Sequence, residues 1–297
     1  MTMKRLLSLL LILLLLSGCA QTTEYAQIAA TTLPVYEFTS ALCEGTGITV
    51  TRLVTEEVSC LHDYSLNVRQ VRAAEAAELI VISGAGLEAF LDDLLLGADI
   101  VDASQGIGLL CPEQGHDHGH EEEHHDHDGH SHDSDPHIWL SPAHAMTMAQ
   151  NICDGLCEQY PAHSDTFRAN LETLTQRLHA LQTYGEEALS SLSCRELITF
   201  HDGFAYFAQS FDLTILEAVE EESGSEASAK ELIHLIEEVE HHSLPAIFTE
   251  VSGSVSAASI IARETGCETY ALDMAMAGNS YFDAMYRNID TVKEALQ

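Results

Sequence analysis

Residues 167–181 read FRANLETLTQRLHAL, and the apolar positions Phe167, Leu171, Leu174, Leu178 and Leu181 recur at steps of four and three. That spacing lays a single apolar stripe along one side of a helix. The stripe continues through Tyr184 toward Leu189 and Leu192, so residues 161–192 read as one long linking helix. On its N-terminal side, apolar runs at 27–31, 48–54, 79–82 and 99–101 read as strands, and residues 34–43, 68–76 and 87–95 as helices. On its C-terminal side the rhythm repeats, with strands at 197–200, 213–218, 246–249 and 268–272 and helices at 227–241, 255–265 and 281–296. Strands that alternate with helices imply parallel pairing. The expected fold is α/β, two lobes with mainly parallel sheets flanked by helices and joined by one long rigid helix. The lobes are expected at 20–160 and 193–297. A helical connector is stiffer than a Gly/Ser hinge, so the lobes should keep a nearly fixed separation and close little.

The 297-residue chain is 46% hydrophobic, enough for a globular core. Its 47 Asp and Glu outnumber 12 Lys and Arg, a net charge of −35 that repels nucleic acid and anionic headgroups. Lys4 and Arg5 precede an apolar run at 6–16, too short to span a bilayer as a helix. The run ends in Leu16-Ser17-Gly18-Cys19, which resembles the bacterial lipoprotein processing box. That resemblance implies a signal peptide over 1–19, lipidation of Cys19 and a body tethered outside the cytoplasmic membrane. Seven further cysteines, Cys43, Cys60, Cys111, Cys153, Cys157, Cys194 and Cys267, are an odd number, and the sequence selects no pairing among them. Cys153 and Cys157 lie four apart on a helix without a second pair at zinc-finger spacing, which favours buried small side chains or a disulfide partner elsewhere over half a zinc site.

Residues 116–132 contain eight His, six acids, two Gly and one Ser, with no apolar side chain. Nothing there can pack into a core. The eight imidazoles, His116, His118, His120, His124, His125, His127, His130 and His132, form an auxiliary metal-binding loop within 113–135. Imidazoles and carboxylates at this density are weak, exchanging ligands for zinc, copper or nickel, and affinity falls as His protonates.

Outside that loop, three His and one Asp occupy comparable places. His62 follows the second strand in Leu61-His62-Asp63-Tyr64, and His137 sits in Asp135-Pro136-His137-Ile138-Trp139-Leu140. His201 follows a strand in His201-Asp202-Gly203-Phe204, and Asp273 follows the last strand. In open α/β sheets, ligands bind beyond the carboxyl ends of strands. Two of the four come from each half, so the site is expected in the cleft between lobes.

These residues carry a family resemblance. The chain resembles the metal-binding lipoproteins of bacterial ABC importers (cluster A-I, the zinc and manganese solute-binding family), and among them the zinc-type members with a His-rich loop. The resemblance runs from Ile28 to Gln297 in the order His62-Asp63-Tyr64, Ile80-Val81-Ile82-Ser83-Gly84-Ala85-Gly86-Leu87-Glu88, the His-rich loop, Asp135-Pro136-His137-Ile138-Trp139, the long helix, His201-Asp202-Gly203-Phe204, Phe248-Thr249-Glu250 and Leu272-Asp273. Ser280-Tyr281-Phe282 and Arg287-Asn288-Ile289 are also similar. It implies one Zn2+ held by His62, His137, His201 and Asp273 as transported ligand, delivery to an ABC transporter permease, and a monomer without enzymatic activity. Manganese relatives carry a carboxylate where His201 stands, so Mn2+ is the less favoured ion. The chain departs from the family near Leu61 and over 65–70, which lack the common prolines, and at Met274, which replaces one.

Two other readings use the same residues. A zinc hydrolase would hold the metal with three His and keep an open position for water, with Glu250 as its base. A surface metal-buffering or adhesin-type lipoprotein would differ by partner rather than by fold.

Overall fold

The computed structural model describes residues 25–56, 61, 64–110, 134–219 and 227–297. The first half contains β1 (Ile28–Ala30), α1 (Leu33–Leu42), β2 (Val50–Arg52), α2 (Val68–Ala76), β3 (Leu79–Ile82), α3 (Asp92–Leu95), β4 (Ile100–Asp102) and α4 (Pro142–Gln159). The connector is α5 (Ser164–Leu189). The second half contains β5 (Glu196–Thr199), α6 (Ala205–Ser210), β6 (Thr214–Ala218), α7 (Ala229–His242), β7 (Ala246–Glu250), α8 (Ser256–Thr265), β8 (Glu268–Leu272) and α9 (Tyr281–Leu296). The strands form two sheets, ordered β2-β1-β3-β4 and β6-β5-β7-β8, and every pairing is parallel.

The inner strands are covered on both faces: β1 and β7 are buried along their whole length. This is why they read as continuous apolar runs rather than as alternating ones. Helix starts follow local capping chemistry. Asn67 and Gln70 close a capping box on α2, and Ser228 and Glu231 close one on α7. Ser141 caps α4 with Pro142 in its first turn, and α8 stops at Gly266, whose φ of 80° suits a residue without Cβ.

Of the stripe read from the sequence, Leu171 on α5 is only partly buried and Tyr184 is exposed, while Phe167, Leu174, Leu178, Leu181 and Leu189 are buried. They join a single core that includes Ile28, Phe38 and Val81 from the first sheet's side and Leu197, Phe248 and Leu296 from the second's. The two halves therefore share one interior. Hydrogen bonds reinforce it: the Leu33 N–H donates to the Met276 carbonyl at 3.0 Å, and the Arg52 side chain donates from Nη1 to the Gly278 carbonyl at 2.8 Å. Such a seam opposes large lobe closure.

One expected helix, over 87–95, is corrected. The chain there makes a 3-10 turn, Ala89–Leu91, followed by the single turn of α3. Glu88 is the reason. Its buried carboxyl group turns back to accept the N–H groups of Ser83 at 2.7 Å and Gly84 at 3.0 Å and the Thr31 hydroxyl at 2.7 Å. That loop geometry needs Gly84 at φ 83° and Gly86 at φ 84°, which delays any helix start. Cys43, Cys153, Cys157, Cys194 and Cys267 are free thiols, with Cys43 and Cys153 buried. Among the described residues no helix is long and apolar enough to cross a membrane.

Candidate metal centre

In the second sheet, β5 lies between β6 and β7, so the chain leaves β5 toward one side and later returns on the other. A reversal of this kind opens a crevice at the carboxyl ends of the strands. The last rungs there are Thr199 opposite Phe248 and the Phe200 N–H donating to the Phe248 carbonyl at 2.8 Å. His201 follows immediately on one side, and Glu250 ends β7 on the other. Glu250 pairs in register with Leu272, which sets Asp273 one residue beyond on the neighbouring strand.

His137 reaches the same place from the first half. It precedes the 3-10 turn Ile138–Leu140 and is only 4% exposed. Its ring lies edge-to-face against His201, centroids 5.2 Å apart. Both imidazoles are backed by carboxylates. His137 Nδ1 is 2.8 Å from Asp135 Oδ1, which also accepts the His137 backbone N–H at 2.9 Å. His201 Nδ1 is 3.5 Å from Glu250 Oε2. A neutral imidazole whose Nδ1 donates to Asp135 keeps its Nε2 lone pair, the arrangement found in metal-ligating His.

The site gathers several carboxyl groups, and their surroundings favour the neutral form of two of them. Burial, and then the charge of Asp273, push the Glu250 carboxyl up to about 8. Burial, and then Asp135, also raise Asp202, against the opposing influence of His137. Gly203 leaves the space for this packing. A Cβ on it would lie 2.6 Å from Met274 Cε, 2.7 Å from His201 Cδ2 and 3.0 Å from His137 Nδ1.

Of the four residues singled out in the sequence, His137 and His201 come together and Asp273 stands at the adjoining strand end. The Asp273 carboxylate faces Arg287 and the Ala275 N–H. Among the described residues, no group of three or more His, Cys, Asp or Glu is gathered closely enough to hold a metal ion. His62, the eight loop histidines and Cys19 lie outside the described residues. Sequence reasoning did not assign roles to Asp135, Gly203, Arg287 or Asn288, and it read Glu250 as a base rather than as the support of His201. A carboxylate two residues before a candidate ligand was the available signal for Asp135.

Paired imidazoles, one of them hydrogen-bonded to a carboxylate, at the strand ends of an α/β fold with two parallel sheets are of the class of chemistry that metal-binding proteins use. From residue 28 to residue 295 the sequence matches the family described as ZnuA, zinc-uptake complex component A, periplasmic, and the chain belongs to that family. A Treponema pallidum protein described as a putative metal-binding protein is 29% identical over 96% of this chain and 93% of its own length. The zinc-binding lipoprotein AdcA of Streptococcus pneumoniae serotype 4 is 29% identical over 96% of this chain, which spans only 58% of AdcA. A crystal structure of ZnuA superposes with a TM-score of 0.76 at 26% identity, covering 91% of this chain and 99% of that one. The family is one of solute-binding proteins, which sets aside the hydrolase.

Proposed function

We propose that this protein captures a zinc ion in the cleft between its lobes and delivers it to an ABC permease for import. His62, His137, His201 and Asp273 are the ligands in this reading, three imidazoles and one carboxylate that suit four-coordinate zinc and favour it over manganese. The observation that carries it is the meeting of His137 and His201, one from each half, with centroids 5.2 Å apart. The Asp135 carboxylate behind His137 orients that ring and raises its ligand basicity. Residues 20–160, 161–192 and 193–297 act as lobe, linker and lobe, and the shared core confines release to a small distortion of the cleft. Lipid on Cys19 holds the body at the outer face of the cell membrane, where it works as a monomer. The His-rich loop at 116–132 serves as a weak auxiliary zinc store.

The test is metal content and competitive zinc affinity of the chain lacking 116–132, beside His137→Ala and His201→Ala in the same background. One tightly bound zinc, lost in both variants, is the expected result. A loop-deleted protein that holds no zinc would sink the cleft assignment.

A further inference from the structure

We propose that Arg287 is a displaceable counter-ion of the metal site: it occupies the Asp273 carboxylate while the cleft is empty and gives way when the metal enters. The proposal rests on the assignment of Asp273 as a ligand made above.

Asp273 is held in two different ways. Its backbone is clamped by Asn288 of α9, whose Oδ1 accepts the Asp273 N–H at 2.8 Å and whose Nδ2 donates to the Asp273 carbonyl at 2.7 Å. Asn288 is 1% exposed, so this clamp is part of the core. The carboxylate itself has two partners. Oδ1 accepts the backbone N–H of Ala275 at 2.8 Å, inside a turn that Ala275 completes at φ 53°. Oδ2 accepts from Arg287 Nη2, also at 2.8 Å.

Three of these contacts belong to the backbone turn or to a buried side chain and cannot leave without unfolding their surroundings. The fourth can. The Arg287 side chain is 65% exposed while that of Asp273 is 24% exposed. The guanidinium therefore reaches the site from solvent and can return to it with little loss of packing, and an ion pair this exposed is weak. Neighbouring residues on one helix thus divide the work, Asn288 fixing where Asp273 stands and Arg287 covering its charge.

Without a metal, the Arg287 guanidinium pairs with the Asp273 carboxylate at 2.8 Å and supplies the positive charge there. Entry of a divalent ion makes Arg287 redundant and repels it. Arg287 is then a competitor of the metal: it weakens the bound state and speeds return to the empty one, as a protein that must give up its ion requires.

The test uses the full chain and zinc itself, with a chromophoric chelator to read both the affinity of the cleft site and the rate of the slow phase of zinc loss. Arg287→Gln is expected to bind zinc about fivefold more tightly and to release it more slowly by a similar factor, the scale of one exposed ion pair. Arg287→Lys, which keeps the charge, should stay near the parent protein. In an Asp273→Asn background the Arg287→Gln effect should vanish. Circular dichroism confirms folding of each variant. Unchanged or weakened zinc binding in folded Arg287→Gln overturns the proposal. If Asp273→Asn alone binds zinc like the parent, the ligand assignment itself fails and the proposal falls with it. If Asp273→Asn loses zinc while Arg287→Gln behaves as the parent, the assignment stands and only the role of Arg287 is refuted.

Discussion

The indole N–H of Trp139 donates to the carbonyl oxygen of Met274 at 2.7 Å, joining a residue two positions from His137 to the neighbour of Asp273. Trp139 is fully buried, and its own carbonyl accepts the Tyr281 hydroxyl at 2.8 Å. The segments that carry a candidate ligand from each half are therefore tied directly to one another. Trp139→Phe keeps most of the ring volume and removes the donor, leaving the Met274 carbonyl buried without it. The expected cost is about 1–3 kcal/mol of unfolding free energy, the penalty for an unsatisfied buried acceptor. Zinc affinity should fall with it, because His137 and Asp273 lose their common support. Denaturant unfolding and chelator competition measure the two effects. Parent-like values in both would show that the cross-lobe bond positions nothing.

Asp135 holds His137 through one oxygen, which takes both the ring Nδ1 and the backbone N–H. Asp135→Asn keeps the shape but removes the charge that favours proton placement on Nδ1. Replacing such a partner should weaken zinc binding by about 10- to 100-fold with the fold retained. Isothermal competition against a chelator of known affinity reads this. A variant with full affinity would mean that His137 does not bind the metal through Nε2, or does not bind it at all.

Gly203 stands where any side chain would meet Met274, His201 and His137 together. Gly203→Ala must push at least one of them aside by several tenths of an ångström. Ligand geometry tolerates errors of only about 0.5 Å, so zinc affinity should fall about tenfold or more while far-ultraviolet circular dichroism stays unchanged. Retention of full affinity would place the working geometry of the site elsewhere in the cleft.

Most of the fold could be read in the sequence because doubly covered parallel strands leave an unmistakable trace. The runs at 79–82 and 268–272 were bounded to the residue, and the rest within a residue or two. The failure over 87–95 has a physical cause. Its Leu, Glu and Ala favour a helix locally, but Glu88 spends its carboxylate on Thr31, 57 positions away, and no local propensity encodes that bond. The short helix α6 was not anticipated, being one and a half turns fixed by burial of Tyr206 and Phe207. At the site, His137 and His201 were legible from their type and their places beside strand ends. Arg287 and Asn288 were not, since their importance arises only when α9 packs against the end of β8.

Glu88 gives the protein a pH dependence that can be isolated. It is buried at the carboxyl ends of β1 and β3, and burial, against the opposing hydrogen bonds from Thr31, Ser83 and Gly84, pushes its carboxyl from 4.5 up to about 7. The folded chain therefore binds this proton more tightly than the unfolded chain does. The stability that results is complete below pH 4.5 and is lost as pH rises through 7. Glu88→Gln cannot titrate, so the stability of the parent relative to the variant should decline by about 3 kcal/mol between pH 4.5 and pH 8. Histidines and surface carboxylates titrate in both proteins and cancel in the difference. Urea unfolding of the two zinc-free proteins across that range supplies the measurement. Parallel stability profiles would mean that Glu88 is ionised throughout, and that the loop from Ser83 to Glu88 is held by a carboxylate rather than by a carboxylic acid.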